Sequence, residues 1–201
     1  VLESSAAPEV IEEMRECLGD LKGARESLAR IYRETRHATA NAELDPSELR
    51  LADVVDTVAR VVWSEIAGGA TLDWRCADDL LVYADRVSLV RILYNLVAHA
   101  ARELTDDART QPGVIRLEAT AQGGVICIDV AHSGRRDRDA LQRRLVTSTF
   151  GGRDDDTGDV LVLALARDLV EANGGTLATA EITEPWPTTA LRVCLPNPDL
   201  F

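Results

Sequence analysis

The chain has 201 residues and a net charge of −12; it is 46% hydrophobic but only 4% aromatic, a composition for an aliphatic core under an acidic surface. Lys22 is its one lysine, which argues against nucleic acid as a partner, because phosphate backbones need clustered positive charge. No apolar run approaches the ~20 residues of a membrane span, and residues 1–8 lack the basic start of a signal peptide, so no membrane contact is expected.

Residues 9–40 read as one long helix. Val10, Met14, Cys17, Leu21, Ala24, Leu28 and Ile31 recur in steps of four and three, the seam of a helix packed lengthwise on another. One helix cannot bury that stripe alone, so a second chain or an upstream segment is expected to supply the partner. Asp45-Pro46-Ser47 reads as a turn. A helix over 51–66 follows, with Leu51, Val54, Val55, Val58, Val61 and Val62 facing inward, ended by Gly68-Gly69. Strands are expected over 70–76 and 80–83, then a helix over 86–103 capped by Asp85.

Two alternating strands, 114–121 and 125–130, flank Gln122-Gly123-Gly124 as a hairpin. A charged stretch over 135–158 contains Arg135, Arg136, Arg138, Arg143 and Arg144 among aspartates and a short helix over 140–146; it reads as solvated. The run GDVLVLALARDLVEANGG follows, with a helix over 161–171 stopped at Asn173-Gly174-Gly175. Strands over 176–182 and 190–195 close the chain. This order suggests an α+β, two-layer sandwich. Cys17, Cys76, Cys127 and Cys194 show no CxxC pairing. Cys127 and Cys194 lie in apolar runs and read as small core residues, so neither a zinc site nor a disulfide is expected, and a reducing cytoplasm fits.

The order of these segments resembles the sensor histidine kinases of bacterial two-component systems. The heptad helix looks like the second helix of their dimerisation hairpin (residues 1–45), and 46–201 like their Bergerat-type ATPase domain. LVYADRVSLVRILYNLVAHAARE resembles the family's N box, VICIDVAHSG its first glycine box, GDVLVL its second, and TTALRVCLP, from Thr188, its closing strand. The resemblance implies a mixed sheet under three helices, with ATP and Mg²⁺ between helices and a lid.

It also assigns tasks to positions. Asn95 stands at the first magnesium-ligand position and His99 at the second, where the family carries asparagine; imidazole is a poor magnesium ligand. A plain polar residue on a half-buried helix face is the simpler reading of His99. Arg102 stands where the family has a basic residue near the phosphates. His132 replaces the aspartate that accepts the adenine amino group; Gly134 is retained, and Arg136 replaces the next glycine. GxGxGL becomes Gly158-Asp159-Val160-Leu161-Val162-Leu163, which keeps Gly158 alone. Valines and like charge then stand where backbone must approach triphosphate.

The sequence therefore reads as a degenerate histidine-kinase-like module of a phosphorelay, without a cofactor and leaning away from catalysis. It would work as a homodimer beside a response regulator or another kinase. The alternatives are an active kinase, phosphorylating a histidine upstream of residue 1 from ATP and Mg²⁺, and an ATP-independent histidine phosphotransferase. For the last, only His37 is a candidate, and it reads as an exposed helix-end histidine.

Overall fold

The computed structural model describes residues 44–66, 70–105, 113–134, 138–146, 157–183 and 188–197. The heptad helix with Met14, Cys17, Leu21, Leu28 and Ile31, His37, Arg136 and the Gly68-Gly69 break all lie outside these residues.

Among the described residues, seven strands and four helices follow in order: β1 (Pro46–Arg50), α1 (Leu51–Ile66), β2 (Ala70–Arg75), β3 (Leu81–Asp85), α2 (Arg86–Thr105), β4 (Gly113–Gln122), β5 (Val125–His132), α3 (Arg138–Val146), α4 (Thr157–Ala172), β6 (Thr176–Ile182) and β7 (Thr188–Pro196). Five strands form one sheet in the order β2-β4-β5-β7-β6, parallel only at β2–β4. α2 packs between α1 and α4 and lies over β4 and β5. This is the expected two-layer sandwich.

Strand alternation separates the two faces of the sheet. Ile115 and Leu117 of β4, Ile126, Ile128 and Val130 of β5, and Leu191, Val193 and Leu195 of β7 are buried toward the helices. The other face carries Asp73, Arg116, Asp129, Arg192, Cys127 and Cys194, and ion pairs tie it across strands. Arg116 donates to Asp73, and Arg192 grips Asp129 through two 2.7 Å hydrogen bonds. The Asp129 hydrogen bond, with its charge, outweighs partial burial and raises the Arg192 guanidinium pKa.

Turn chemistry sets the boundaries. Gly123 and Gly124 have φ of 55° and 89°, the two positive angles that a two-residue hairpin loop requires. At the end of α4, Gly175 N donates to Val170 O and Gly174 N to Glu171 O, with Gly174 at φ 72°. That pair of bonds is a Schellman stop. Asp85 caps α2 as expected, its Oδ1 accepting from Ser88 N at 2.8 Å.

Four expectations are corrected. The turn expected at Asp45-Pro46-Ser47 is the start of β1, which pairs antiparallel with β3 from Pro46↔Asp85 to Arg50↔Leu81. Pro46 takes the first position of an edge strand, where its missing N–H costs no ladder bond. Val61 is 53% exposed; the buried stripe of α1 runs through Leu51, Val54, Val55, Val58, Val62 and Ile66 beside it. α4 begins at Thr157 rather than at 161, taking Gly158, Asp159 and Val160 into its first turn. Finally, Cys127 and Cys194 are joined by a disulfide. They face each other directly in the β5–β7 register, with Cα atoms 4.1 Å apart. The argument from unpaired cysteines to a reducing compartment thereby loses its premise.

Candidate functional site

Five of the residues singled out from the sequence fall on three elements, with Gly134 just past the end of β5 and Thr188 on β7. Asn95, His99 and Arg102 lie on α2, His132 ends β5, and Gly158 sits in the first turn of α4. α2 packs on both β5 and α4, so the fold brings these elements together.

The centre of the site is a half-buried carboxylate between two buried imidazoles. His99 and His132 are both 0% exposed. Glu103, one helical turn beyond His99, places Oε1 3.5 Å from His99 Nε2 and Oε2 2.9 Å from His132 Nε2. His132 belongs to the inward-facing row of β5, so its ring is directed at α2. The backbone of Gly134 folds back and donates its N–H to His132 Nδ1 at 3.0 Å.

These two contacts fix the state of His132. An Nδ1 that accepts a hydrogen bond carries no proton, so the proton of the neutral ring is on Nε2, pointed at Glu103. Donor and acceptor are both in use. Gly134 is retained for a reason internal to this contact. A β-carbon there would stand 2.5 Å from Nδ1 and 2.7 Å from Cε1 of His132. The adjoining bend is pinned as well, with Ser133 N donating to Val114 O and Ser133 Oγ accepting from Val114 N.

The remaining candidates are more loosely placed. Asn95 Nδ2 is buried and has no hydrogen-bond partner among the described residues. Arg102 is exposed on the last turn of α2. Thr188 shares the face of β7 that carries Arg192 and Cys194. Its neighbour Thr189, 6% exposed, belongs to the inward row with Leu191 and Val193. The α4 helix starts early enough that the amides of Leu161, Val162 and Leu163 lie within its i→i−4 hydrogen-bond ladder. Among the described residues, no group of three His, Cys, Asp or Glu side chains is arranged to hold a metal ion, and no helix is long and apolar enough to cross a membrane.

One residue that the sequence reading passed over matters here. Glu103 had a visible signal, its i,i+4 spacing from His99 on a helix.

Solved structures share this architecture. The catalytic domain of the histidine kinase ThkA superposes with a TM-score of 0.61 at 20% identity, covering 77% of this chain and 97% of that one. The mycobacterial sensor histidine kinase MprB gives 0.59 at 18%, covering 76% of this chain and 98% of that one. Full-length ShkA, solved in complex with AMPPNP, gives 0.64 at 21%; it covers 92% of this chain, which spans only 39% of ShkA. No curated protein matches the chain in sequence. Residues 84–199, more than half of the chain, match the family described as histidine kinase-, DNA gyrase B- and HSP90-like ATPase. They run from the end of β3 through the His99–Glu103–His132 cluster to the close of β7, and by that match the chain belongs to this family of histidine kinase-like ATPases.

Proposed function

We propose that this chain is a histidine-kinase-like signalling module that keeps the ATPase fold and has lost nucleotide chemistry, acting through contacts with phosphorelay proteins. The observation that carries the reading is His132. At the position where the family accepts the adenine amino group, both ring nitrogens are spent inside the protein, on Glu103 and on Gly134 N–H. No acceptor on that side chain is left for a base.

Two further features point the same way. His99, at the second magnesium-ligand position, is fully buried against the Glu103 carboxylate. The segment that should lie as a glycine-rich loop along a triphosphate is wound into α4, with Val160 and Val162 in place of glycines. The residues present do not fit ATP with Mg²⁺, and no catalytic step is assigned to them. A homodimer through residues 9–40, a response regulator or second kinase as partner, and a cytoplasmic place of action belong to the same proposal.

The runner-up, an active kinase, has one observation in its favour. Asn95 is retained, and its buried Nδ2 lacks a partner among the described residues. Thermal shift and calorimetry with millimolar ATP and Mg²⁺ decide between the two. A ligand at 100 times its Kd adds about 2.7 kcal/mol of stability. The proposal expects an unchanged melting temperature; a saturable shift with a micromolar Kd overturns it in favour of the kinase.

A further inference from the structure

The outer face of the five-stranded sheet, away from the cluster, carries chemistry of its own. Cys127 and Cys194 are directly opposed and bonded across β5 and β7, 67 residues apart in sequence. Their flanks are ordinary ladder pairs, Ile126↔Leu195 and Ile128↔Val193. Two residues along the same strands, Asp129 and Arg192 are opposed and joined by two hydrogen bonds. The strands are therefore held in register by interactions that do not involve sulfur.

The two sulfur-bearing residues differ in access. Cys127 is 4% exposed, whereas Cys194 is half-buried. The remaining described cysteine, Cys76, is no competitor. Burial first, then the charges of Asp78 and Asp79, push its thiol up to about 11, so at neutral pH it is almost entirely in the unreactive protonated form.

We propose that Cys127–Cys194 is a reversible thiol–disulfide exchange site whose substrate is an external dithiol, attacked at Cys194. A thiolate of the dithiol attacks Cys194 Sγ and forms a mixed disulfide. The Cys127–Cys194 bond breaks, and Cys127 leaves as a thiolate that takes a proton from solvent. The second thiol of the dithiol then attacks the mixed disulfide, releasing Cys194 as a thiolate that is protonated in turn. The protein gains two electrons and two protons, and the dithiol is oxidised to its disulfide. An oxidised dithiol or glutathione disulfide drives the reverse reaction. Reversal needs no refolding, because the β5–β7 ladder and the Asp129–Arg192 pair keep the two thiols opposed after reduction.

Redox state in this way sets how tightly one long loop is closed. The segment between the two cysteines contains His132, Gly134, α3, α4 and β6. Closing or opening that loop changes the freedom of the unfolded chain and leaves the native strand pairing in place.

The test uses the full chain without denaturant. Dithiothreitol is expected to release two thiols per chain at Cys127 and Cys194, located by alkylation and peptide mass mapping, and to lower the melting temperature. Glutathione disulfide is expected to restore both. With single variants incubated in glutathione disulfide, Cys194 in C127S is expected to form its mixed disulfide about tenfold faster than Cys127 in C194S, because exchange follows access. A disulfide that resists dithiothreitol until denaturant is added overturns the proposal, as do free thiols at Cys127 and Cys194 in oxidised protein or equal rates in the two variants. Should either variant fail to fold, the reduction and reoxidation of the unaltered chain still decide the matter.

Discussion

Replacing Glu103 with alanine tests the central cluster most directly. The change removes the acceptor 2.9 Å from His132 Nε2 and leaves that N–H buried on a ring that is 0% exposed. A hydrogen bond to a charged group contributes about 1.5–3 kcal/mol, and an unsatisfied buried donor costs a similar amount when its partner is lost. Glu103 keeps 16% of its side chain in contact with solvent, so water refills part of the gap and a net loss near the lower end, about 2 kcal/mol, is expected. For a unit of this size that corresponds to a melting temperature lower by about 4–8 °C. Glu103→Gln keeps an acceptor for His132 and gives up only the charge, so about half of that loss is expected. Imidazole nitrogen shifts by NMR supply a second measurement. In the parent protein His132 is expected as a single tautomer protonated at Nε2, and Glu103→Ala is expected to keep it, because Gly134 N–H still donates to Nδ1. Equal melting temperatures for all three proteins, or a parent His132 protonated at Nδ1, refute the reasoning.

Three other outcomes are expected. Burial alone would raise the Asp85 carboxyl, but N–H bonds from Ser88, Asp45 and Val87 outweigh it and hold the group below its ordinary 3.8. Its contribution is complete above that value and is lost as pH falls through the lower folded one. Acid titration of Asp85→Asn, followed by circular dichroism, is thus expected to be flatter than that of the parent below about pH 4. Gly175→Ala would put a β-carbon 2.5 Å from Cys194 O and 2.7 Å from Leu195 Cδ2. Backbone cannot move aside as a flexible side chain can, so chemical denaturation is expected to show a loss above about 2 kcal/mol, against about 1 for Gly123→Ala, whose surroundings are open. Leu21→Asp together with Leu28→Asp is expected to halve the mass in light scattering if residues 9–40 carry a homodimer; an unchanged mass removes that part of the proposal.

The periodicities in this chain made most of the sandwich readable, because 3.6-residue and two-residue patterns are local. What escaped was settled at a distance. PSELR has no alternation of its own and is a strand only because β3, some 35 residues on, offers it an edge. The disulfide depends on the β4-β5-β7-β6 order, which places Cys127 against Cys194; each cysteine alone looks like any small core residue. His99 and His132 were both readable as departures from the family pattern. Their meeting at Glu103 depends on the packing of α2 over β5, which neither segment states by itself. The early start of α4 is the one local effect missed. Without its glycines, the stretch from Gly158 has no reason to stay irregular.

The pairing of β1 with β3 bears on how this unit responds to force. Pro46 lies opposite Asp85, and Asp45 N reaches Asp85 Oδ2 at 3.4 Å. Because the two strands are antiparallel, tension applied at residue 44 peels this ribbon open from the Pro46–Asp85 end, one rung at a time. The first rung to part is the one beside the cap of α2. The backbone N–H of Asp85 is also tethered, 2.7 Å from Asn173 Oδ1 at the stop of α4. A tug on the incoming chain is therefore delivered to the N-terminus of the helix that bears Asn95, His99 and Glu103 before any core contact is loaded.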